Sequence, residues 1–448
     1  MTRLLAIGVL LSCALPSTGQ RSVILDPRFA YYRDRSARSI VSEITANGYR
    51  EVRLVCVNES GIDGELVRAL TEAGVRVWML TFANGVYSTA DLPEGWESWR
   101  MKQRKPSSPD GFIYLCPNNP AFRAWKKARL ALALEKHPFH GVDLAEPFFP
   151  AYPGPESEHY GCLCDWCVAG FREMFSADPP DFEDPESPRY WKNDPTLYEK
   201  WVGFRVSAVV NHLDDLVNGS GGLREKCPRA KVATWSLALD TPDAISKLRE
   251  WVAVDGAAVV RRVKPDAHVI QTDWPDWIKT NLPGDYPLRY SEIAASVRAA
   301  SPLTPLVLQT DIGSKENVRR SREWIGRAEK AALEIGCETI IHYEYHLGDY
   351  IYTEPPAPVS ASYESGTITV VFNKRLDSVS ASNIANYSLG SGQVDYAKVD
   401  GNLVVLSVSG ARRGVTVEVS GLSDDESRRF FHDRPACLMT RSVRITAE

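Results

Sequence analysis

Short apolar runs recur along the first three quarters of the chain, at 22–26, 52–57, 75–81, 141–146, 231–236, 268–273, 305–311 and 338–344. They are rich in Val, Ile and Leu, and nearly all are continuous rather than alternating. A parallel strand covered on both faces needs that pattern. Between them, apolar residues recur with a helical period at 37–47, 64–73, 120–136, 198–217 and 315–335. Three of these stretches run into Asn47-Gly48, Ala73-Gly74 and Ile335-Gly336, which are helix stop signals. Eight strands alternating with helices predict an α/β fold, a (β/α)8 TIM barrel over 21–352. The rival is an open doubly wound sheet, but no G-x-G-x-x-G follows the first strand. The long connections after the third and fourth strands also fall on the side where a barrel builds its site.

The pattern changes at 353–358, where Thr353-Glu354-Pro355-Pro356-Ala357-Pro358 reads as a stiff linker. Beyond it, alternating strands are expected at 359–363, 367–372, 403–408 and 415–419, broken by Gly, Ser, Asn and Asp. A small all-β sandwich over 359–448 follows. The phrases TITVVFNKRLD, NIANYSL and GVTVEVSGLSDDES resemble the bacterial Ig-like modules attached to secreted enzymes and surface proteins. Such modules often serve only as spacers.

The N-terminus adds an address. Met1-Thr2-Arg3 is a short positive start, 4–11 is apolar, and the small residues Ser17-Thr18-Gly19 follow. This reads as a signal peptide over 1–20 and places the protein outside the cytoplasm, secreted or periplasmic. Leu10-Leu11-Ser12-Cys13 loosely resembles a lipobox, so lipoprotein anchoring is the alternative. No other run is long enough for a membrane span. A hydrophobic share of 44% and a charged share of 24% are those of a globular protein. The net charge of −5, with no basic cluster, argues against nucleic acid as the main partner. Oligomeric state is not readable.

Four of the remaining cysteines form one constellation: Cys116, then Cys162, Cys164 and Cys167 in a C-x-C-x-x-C loop. Four thiolates offered to one ion make the tetrahedral set of structural zinc. In an exported protein the alternatives are disulfides from Cys116 to one of the three, or inert thiols. Cys56 and Cys337, in or beside strands, read as core residues. This loop, with YLCPNNPAFRAW and YEKWVGFR nearby, resembles the family 42 β-galactosidases and related barrel hydrolases over about 112–205. The resemblance implies that the four cysteines bind structural zinc. It also implies an acid/base Glu at the end of the fourth strand, and a nucleophile at the end of the seventh.

Barrel enzymes carry their chemistry where strands end. The ends here are Asp26, Asn58, Glu146, Asp240, Asp273, Asp311 and Glu344, so acidic residues dominate. No H-E-x-x-H, G-x-S-x-G or phosphate loop is present. Glycoside hydrolysis needs two carboxyl groups, one protonated and one ionised. Glu146, in GVDLAEPFFP, is the leading catalytic candidate, read on the strand face of Val142 and Leu144. The Asn that precedes this Glu in the related hydrolases is Ala145 here. Asp143, two residues deeper, reads as a structural ion pair. The second carboxylate is Asp311, Glu344 or Asp273.

Substrate contacts are assigned to Asn58, Trp235, Trp274, Trp277, His342 and Tyr343. The chain holds 12 Trp and 18 Tyr, and sugar rings stack on such planes. The expected function is a secreted glycoside hydrolase on an oligo- or polysaccharide, with no cofactor required for catalysis. The alternatives are a metal-dependent hydrolase using His342 and His346, and a non-catalytic carbohydrate-binding surface protein.

Overall fold

The structure, a computed structural model, describes residues 20–105, 111–150 and 153–448. The leader read over 1–20 therefore lies outside the described residues, Gln20 excepted. All eight expected strands form: β1 (Gln20–Leu25), β2 (Glu51–Val55), β3 (Arg76–Phe82), β4 (Gly141–Ala145), β5 (Lys231–Ala238), β6 (Ala267–Thr272), β7 (Leu306–Asp311) and β8 (Cys337–Tyr343). They pair in parallel, each with its sequence neighbours, and β1 pairs with β8 to close an eight-stranded barrel.

Side chains alternate between two cores along each strand. Val23, Leu25, Val52, Leu54, Val142 and Leu144 point outward and join the helices in the main apolar core. Ile24, Val55, Trp78, Leu80, Ala145, Ala233, Trp235, Val269, Val307 and Ile341 point inward and fill the barrel. Caps hold the helices at their expected starts. Ser36, Asp63 and Asn119 accept backbone N–H groups at the N-termini of Ala37–Ala46, Gly64–Glu72 and Pro120–Lys136. Gly48, Gly74 and Gly336 take the left-handed conformation after their helices.

The C-terminal region forms two antiparallel sheets. One holds Pro358–Glu364, Thr367–Phe372, Leu403–Ser409 and Gln393–Asp400; the other holds Tyr387–Leu389, Thr416–Val419 and Val443–Thr446. Ile368, Val370, Phe372, Leu406, Val417 and Val419 pack between them in a second apolar core. The sequence pattern missed Tyr387–Leu389, Gln393–Asp400 and Val443–Thr446, which are short or carry charges on exposed faces.

The segment read as a linker is fastened to its surroundings. Lys374 donates to the carbonyl of Ile351 at 2.9 Å, Asn373 accepts from the Ala357 amide, and Arg322 pairs with Glu354. Phe431 packs against the barrel's own core. The β module is therefore docked on the barrel, not suspended from it.

Candidate active site

The C-terminal strand ends surround a cavity of about 320 Å³. Asp26 and Arg28 follow β1, Phe82 and Tyr87 follow or end β3, and Glu146 follows β4. Gln271 lies on β6, Gln309 and Asp311 on β7, and Tyr343 on β8, with Trp235 and Trp277 completing the wall. Most of these positions obey strand alternation. Asp26 lies two residues after the inward Ile24, Gln271 after Val269, Gln309 after Val307, and Tyr343 after Ile341.

Glu146 is the exception. Val142 and Leu144 face the outer core, so continued alternation would send Glu146 outward with them. Its φ of 51° is left-handed, which ends the strand and breaks the alternation. The side chain lines the cavity instead, and Gln271 donates its amide to Glu146 Oε1 at 3.3 Å. Such strain in a non-glycine residue persists where the surroundings impose it.

Two other carboxyls flank this position and differ in their partners. Asp311 lines the cavity, and its Oδ1 accepts the amides of Gly313 and Ser314 at 2.8 Å each, while the Ser314 hydroxyl donates to Oδ2. Burial pushes this carboxyl up, and those three donors work against it by favouring the ionised form. The Asp273 carboxyl accepts the Trp274 amide through Oδ1, and its Oδ2 is buried without a partner. Desolvation, together with the charges of Asp276 and Glu146, raises Asp273 to about 7.

Several other sequence candidates lie elsewhere. Glu344 follows the outward parity of His342 and is fully enclosed. It accepts the Tyr32 hydroxyl at 2.9 Å and the Asp26 amide, and meets His346 Nδ1 at 3.0 Å. Burial holds its carboxyl well above the usual range. It backs the β1 loop and does not line the cavity. His342 points into the helix layer, where Nδ1 meets the Tyr49 hydroxyl at 2.9 Å, and burial lowers it to about 3. Asn58 closes a turn by accepting from the Ser60 amide and hydroxyl. Trp274 stands half exposed in the loop after β6, whereas Trp277 lines the wall. Trp235 is a buried floor residue whose indole N–H donates to Asp143 at 2.8 Å.

Asp143 has the structural role expected of it. Two nitrogen–oxygen contacts of 2.7 and 2.8 Å join it to Arg53 inside the barrel, and Arg53 also reaches Glu51. The residues that sequence reasoning missed are Arg28, Tyr87, Gln271 and Gln309. The two glutamines are register partners on β6 and β7, and each has a buried Oε1 without a partner. A search for carboxylates passes over neutral amides, although their parity with Val269 and Val307 marks them.

The four cysteines come together between the Ile113–Tyr114 strand and the helix Asp165–Phe175. Their sulfurs all lie within 4.8 Å of one another, Cys116 standing 3.5 Å from Cys167 and 3.4 Å from Cys164. No bond joins the sulfurs in this structure, and their spacing is non-bonded. A tetrahedron with metal–sulfur bonds of about 2.3 Å has sulfur–sulfur edges of roughly 3.8 Å, so the set fits one ion. No helix among the described residues is long and apolar enough to cross a membrane.

No protein-family model and no curated protein matches the chain. Solved structures do. The glycoside hydrolase domain of PgaB (BpsB) from Bordetella bronchiseptica is similar with a TM-score of 0.52 at 14% identity, over 72% of this chain and 93% of that one. The β-galactosidase from Rahnella sp. R3 gives 0.52 at 13%, over 74% and 51%. A catalytic mutant of a GH42 β-galactosidase from G. stearothermophilus gives 0.51 at 14%, over 73% and 51%. The chain thus spans about half the length of the two β-galactosidases. At such identities the likeness is one of fold: this is a closed parallel eight-stranded barrel, followed by an all-β module.

Proposed function

We propose that the protein is an exported glycoside hydrolase in which Glu146 is the general acid/base and Asp311 the second carboxylate. One observation carries this reading: both residues line the same cavity at the strand ends, where Glu146 is aimed inward by a left-handed turn. Glu146 delivers a proton to the leaving glycosidic oxygen. Asp311, whose N–H and O–H donors favour the ionised form against the upward push of burial, attacks the anomeric carbon or takes a proton from water. Gln271 orients Glu146, and Gln309 offers an unpaired carbonyl to a sugar hydroxyl. Trp277 and Tyr87 supply aromatic faces, and Trp274 extends that surface at the rim. Glu344 is too enclosed to reach a substrate, and Asp273 keeps its free oxygen sealed. The run at 4–11 supports export.

A metal-dependent reaction is less well supported. Among the described residues, the only group of three or more ligand side chains close enough for an ion is the cysteine set. Four thiolates fill a tetrahedral ion and leave no open position, so zinc there would brace the loop between β4 and β5. Elemental analysis of the purified chain should find about one zinc per molecule, as a single four-thiolate site requires.

The decisive experiment is hydrolysis of a glycan panel by the parent chain and by Glu146→Gln. The variant keeps shape but delivers no proton, so turnover should fall on the order of 10²–10⁴-fold. A nitrophenyl glycoside, whose leaving group needs little protonation, should lose less in bond cleavage. Equal turnover of a natural glycan by both proteins would remove Glu146 from this role.

A further inference from the structure

The β module reaches the cavity through one chain segment. After β1, residues 26–36 carry Asp26 and Arg28 on the cavity side, where Arg28 binds the Asp26 carboxylate through Nε at 2.9 Å and through Nη2 at 2.6 Å. The opposite side of this segment is held by the module. Arg375, almost wholly buried, donates from Nη1 to the carbonyls of Tyr31 at 2.9 Å and Arg33 at 2.6 Å. Its own amide donates to the Tyr31 hydroxyl at 3.1 Å, and Asp425 fixes its Nε at 2.8 Å.

From there the contacts run inward. The Tyr31 ring stacks on His346 with centroids 4.9 Å apart, and His346 meets Glu344. Glu344 in turn accepts the Asp26 amide. Phe29 packs between His346 and Phe430 of the module, at 4.8 and 5.4 Å.

We propose that Arg375 is a positioning residue of the cavity: through the 26–36 segment, the β module sets the Asp26–Arg28 wall against which substrate binds. This deepens the glycoside hydrolase reading and rests on it for its kinetic test. Asp26 and Arg28 present an acceptor and fixed donors side by side, a pair suited to the vicinal hydroxyls of a sugar. Neither is part of the acid/base pair. Loosening the wall weakens ground-state and transition-state binding alike, which raises KM and leaves kcat and its pH profile in place. A contact that only glues the two parts together would change stability alone.

The test compares Arg375→Ala and Arg375→Lys with Arg434→Ala, all in the full chain. Arg434 also crosses between the two parts, pairing with Asp349 at 3.1 Å, and among the described residues has no hydrogen bond or ion pair to the 26–36 segment. Arg375→Ala should raise KM on whichever glycan the parent cleaves by about tenfold, less than the roughly 100-fold that a full misplacement of about 1 Å can cost. Lysine keeps the charge for Asp425 but not the forked donors, so its KM should fall between. Arg434→Ala should leave KM unchanged.

Hydrogen exchange of the 26–36 amides, read on the same proteins, should quicken in Arg375→Ala and not in Arg434→Ala. If the alanine variant does not fold, the lysine variant decides alone. Unchanged KM in a folded Arg375 variant, or an equal rise in Arg434→Ala, overturns the proposal. If the parent cleaves no glycan, the hydrolase reading fails by itself. The exchange data then decide whether Arg375 holds the segment, and unchanged exchange refutes that.

Discussion

Two groups of polar side chains share the inside of one barrel, and they differ in what their carboxyl groups face. In the lower layer, Asp143 is bound by both Arg53 contacts and by the Trp235 indole, while Arg53 also reaches Glu51 and lies over the Trp78 ring at 4.3 Å. Three residues beyond Asp143, Glu146 joins Gln271, Gln309 and Asp311 of other strands in an upper layer around open space. Two buried amide oxygens and one carboxyl oxygen in or beside this upper layer have no partner. Buried polar atoms cost free energy unless they are paired, so natural cores pair them. Orphaned atoms occur in the lower layer too, at Arg53 Nε and Trp78 Nε1. What separates the layers is that the lower carboxylate is tied to a cation, whereas the upper carboxyls border open space where a ligand can bind.

The contrast breaks first under a change at Asp311. Asp311→Asn removes the charge while keeping an acceptor for Gly313 and Ser314, so glycan turnover should drop on the order of 10²–10⁴-fold. The melting temperature should stay close to the parent's. A variant with parental turnover would shift the second carboxylate's role to another residue of the wall.

The converse holds one layer down. Asp143→Asn strands the Arg53 guanidinium in the barrel with only Glu51 as a counter-ion, and losing one partner of a buried pair costs about 3–5 kcal/mol. Urea unfolding measures it. A loss under 1 kcal/mol would show that water or Glu51 already satisfies Arg53.

Asp273 sharpens the comparison, because it stands beside the upper layer yet is sealed. The folded chain keeps its proton up to about pH 7, whereas an unfolded Asp releases it near pH 4. Between those values the native state binds the extra proton, so this group's contribution to stability falls as pH rises from about 4 to about 7, then levels off. Asp273→Asn carries no such proton. Relative to the parent it should gain stability across that window, by up to a few kcal/mol, and gain nothing below pH 4. A parallel pair of stability–pH curves would mean that Asp273 is ionised throughout.

Much of this arrangement was legible in the chain, because strand parity is local. The apolar runs marked all eight barrel strands, and counting by twos from Ile24, Val269, Val307 and Ile341 brings out Asp26, Gln271, Gln309 and Tyr343. The same count sends His342 and Glu344 outward, against their reading as site residues. A strand end gives a position without its face. The place of Glu146 at the end of β4 points to it, yet parity alone turns it away. Only its backbone conformation aims it, and nothing in GVDLAEPFFP announces a left-handed glutamate. Nor could periodicity foresee the clamp on residues 26–36, which depends on a buried arginine from the far end of the chain.

That backbone conformation offers the smallest and most pointed test. A left-handed residue with a Cβ is disfavoured by roughly 1–2 kcal/mol, and glycine escapes this cost. Glycine also gains freedom in the unfolded chain, which offsets about 0.4–1 kcal/mol of the benefit. Glu146→Gly should therefore abolish turnover while leaving the protein slightly more stable, by about 0.5–1 kcal/mol, in chemical denaturation. An Asp143 substitution of any kind should never show that combination, because its backbone lies within a regular strand and its side chain is fully partnered. If Glu146→Gly is instead destabilised by more than 1 kcal/mol, the Glu146 side chain contributes packing that outweighs the strain. The upper layer would then be as much architecture as the lower one, and the left-handed turn no sign of chemistry.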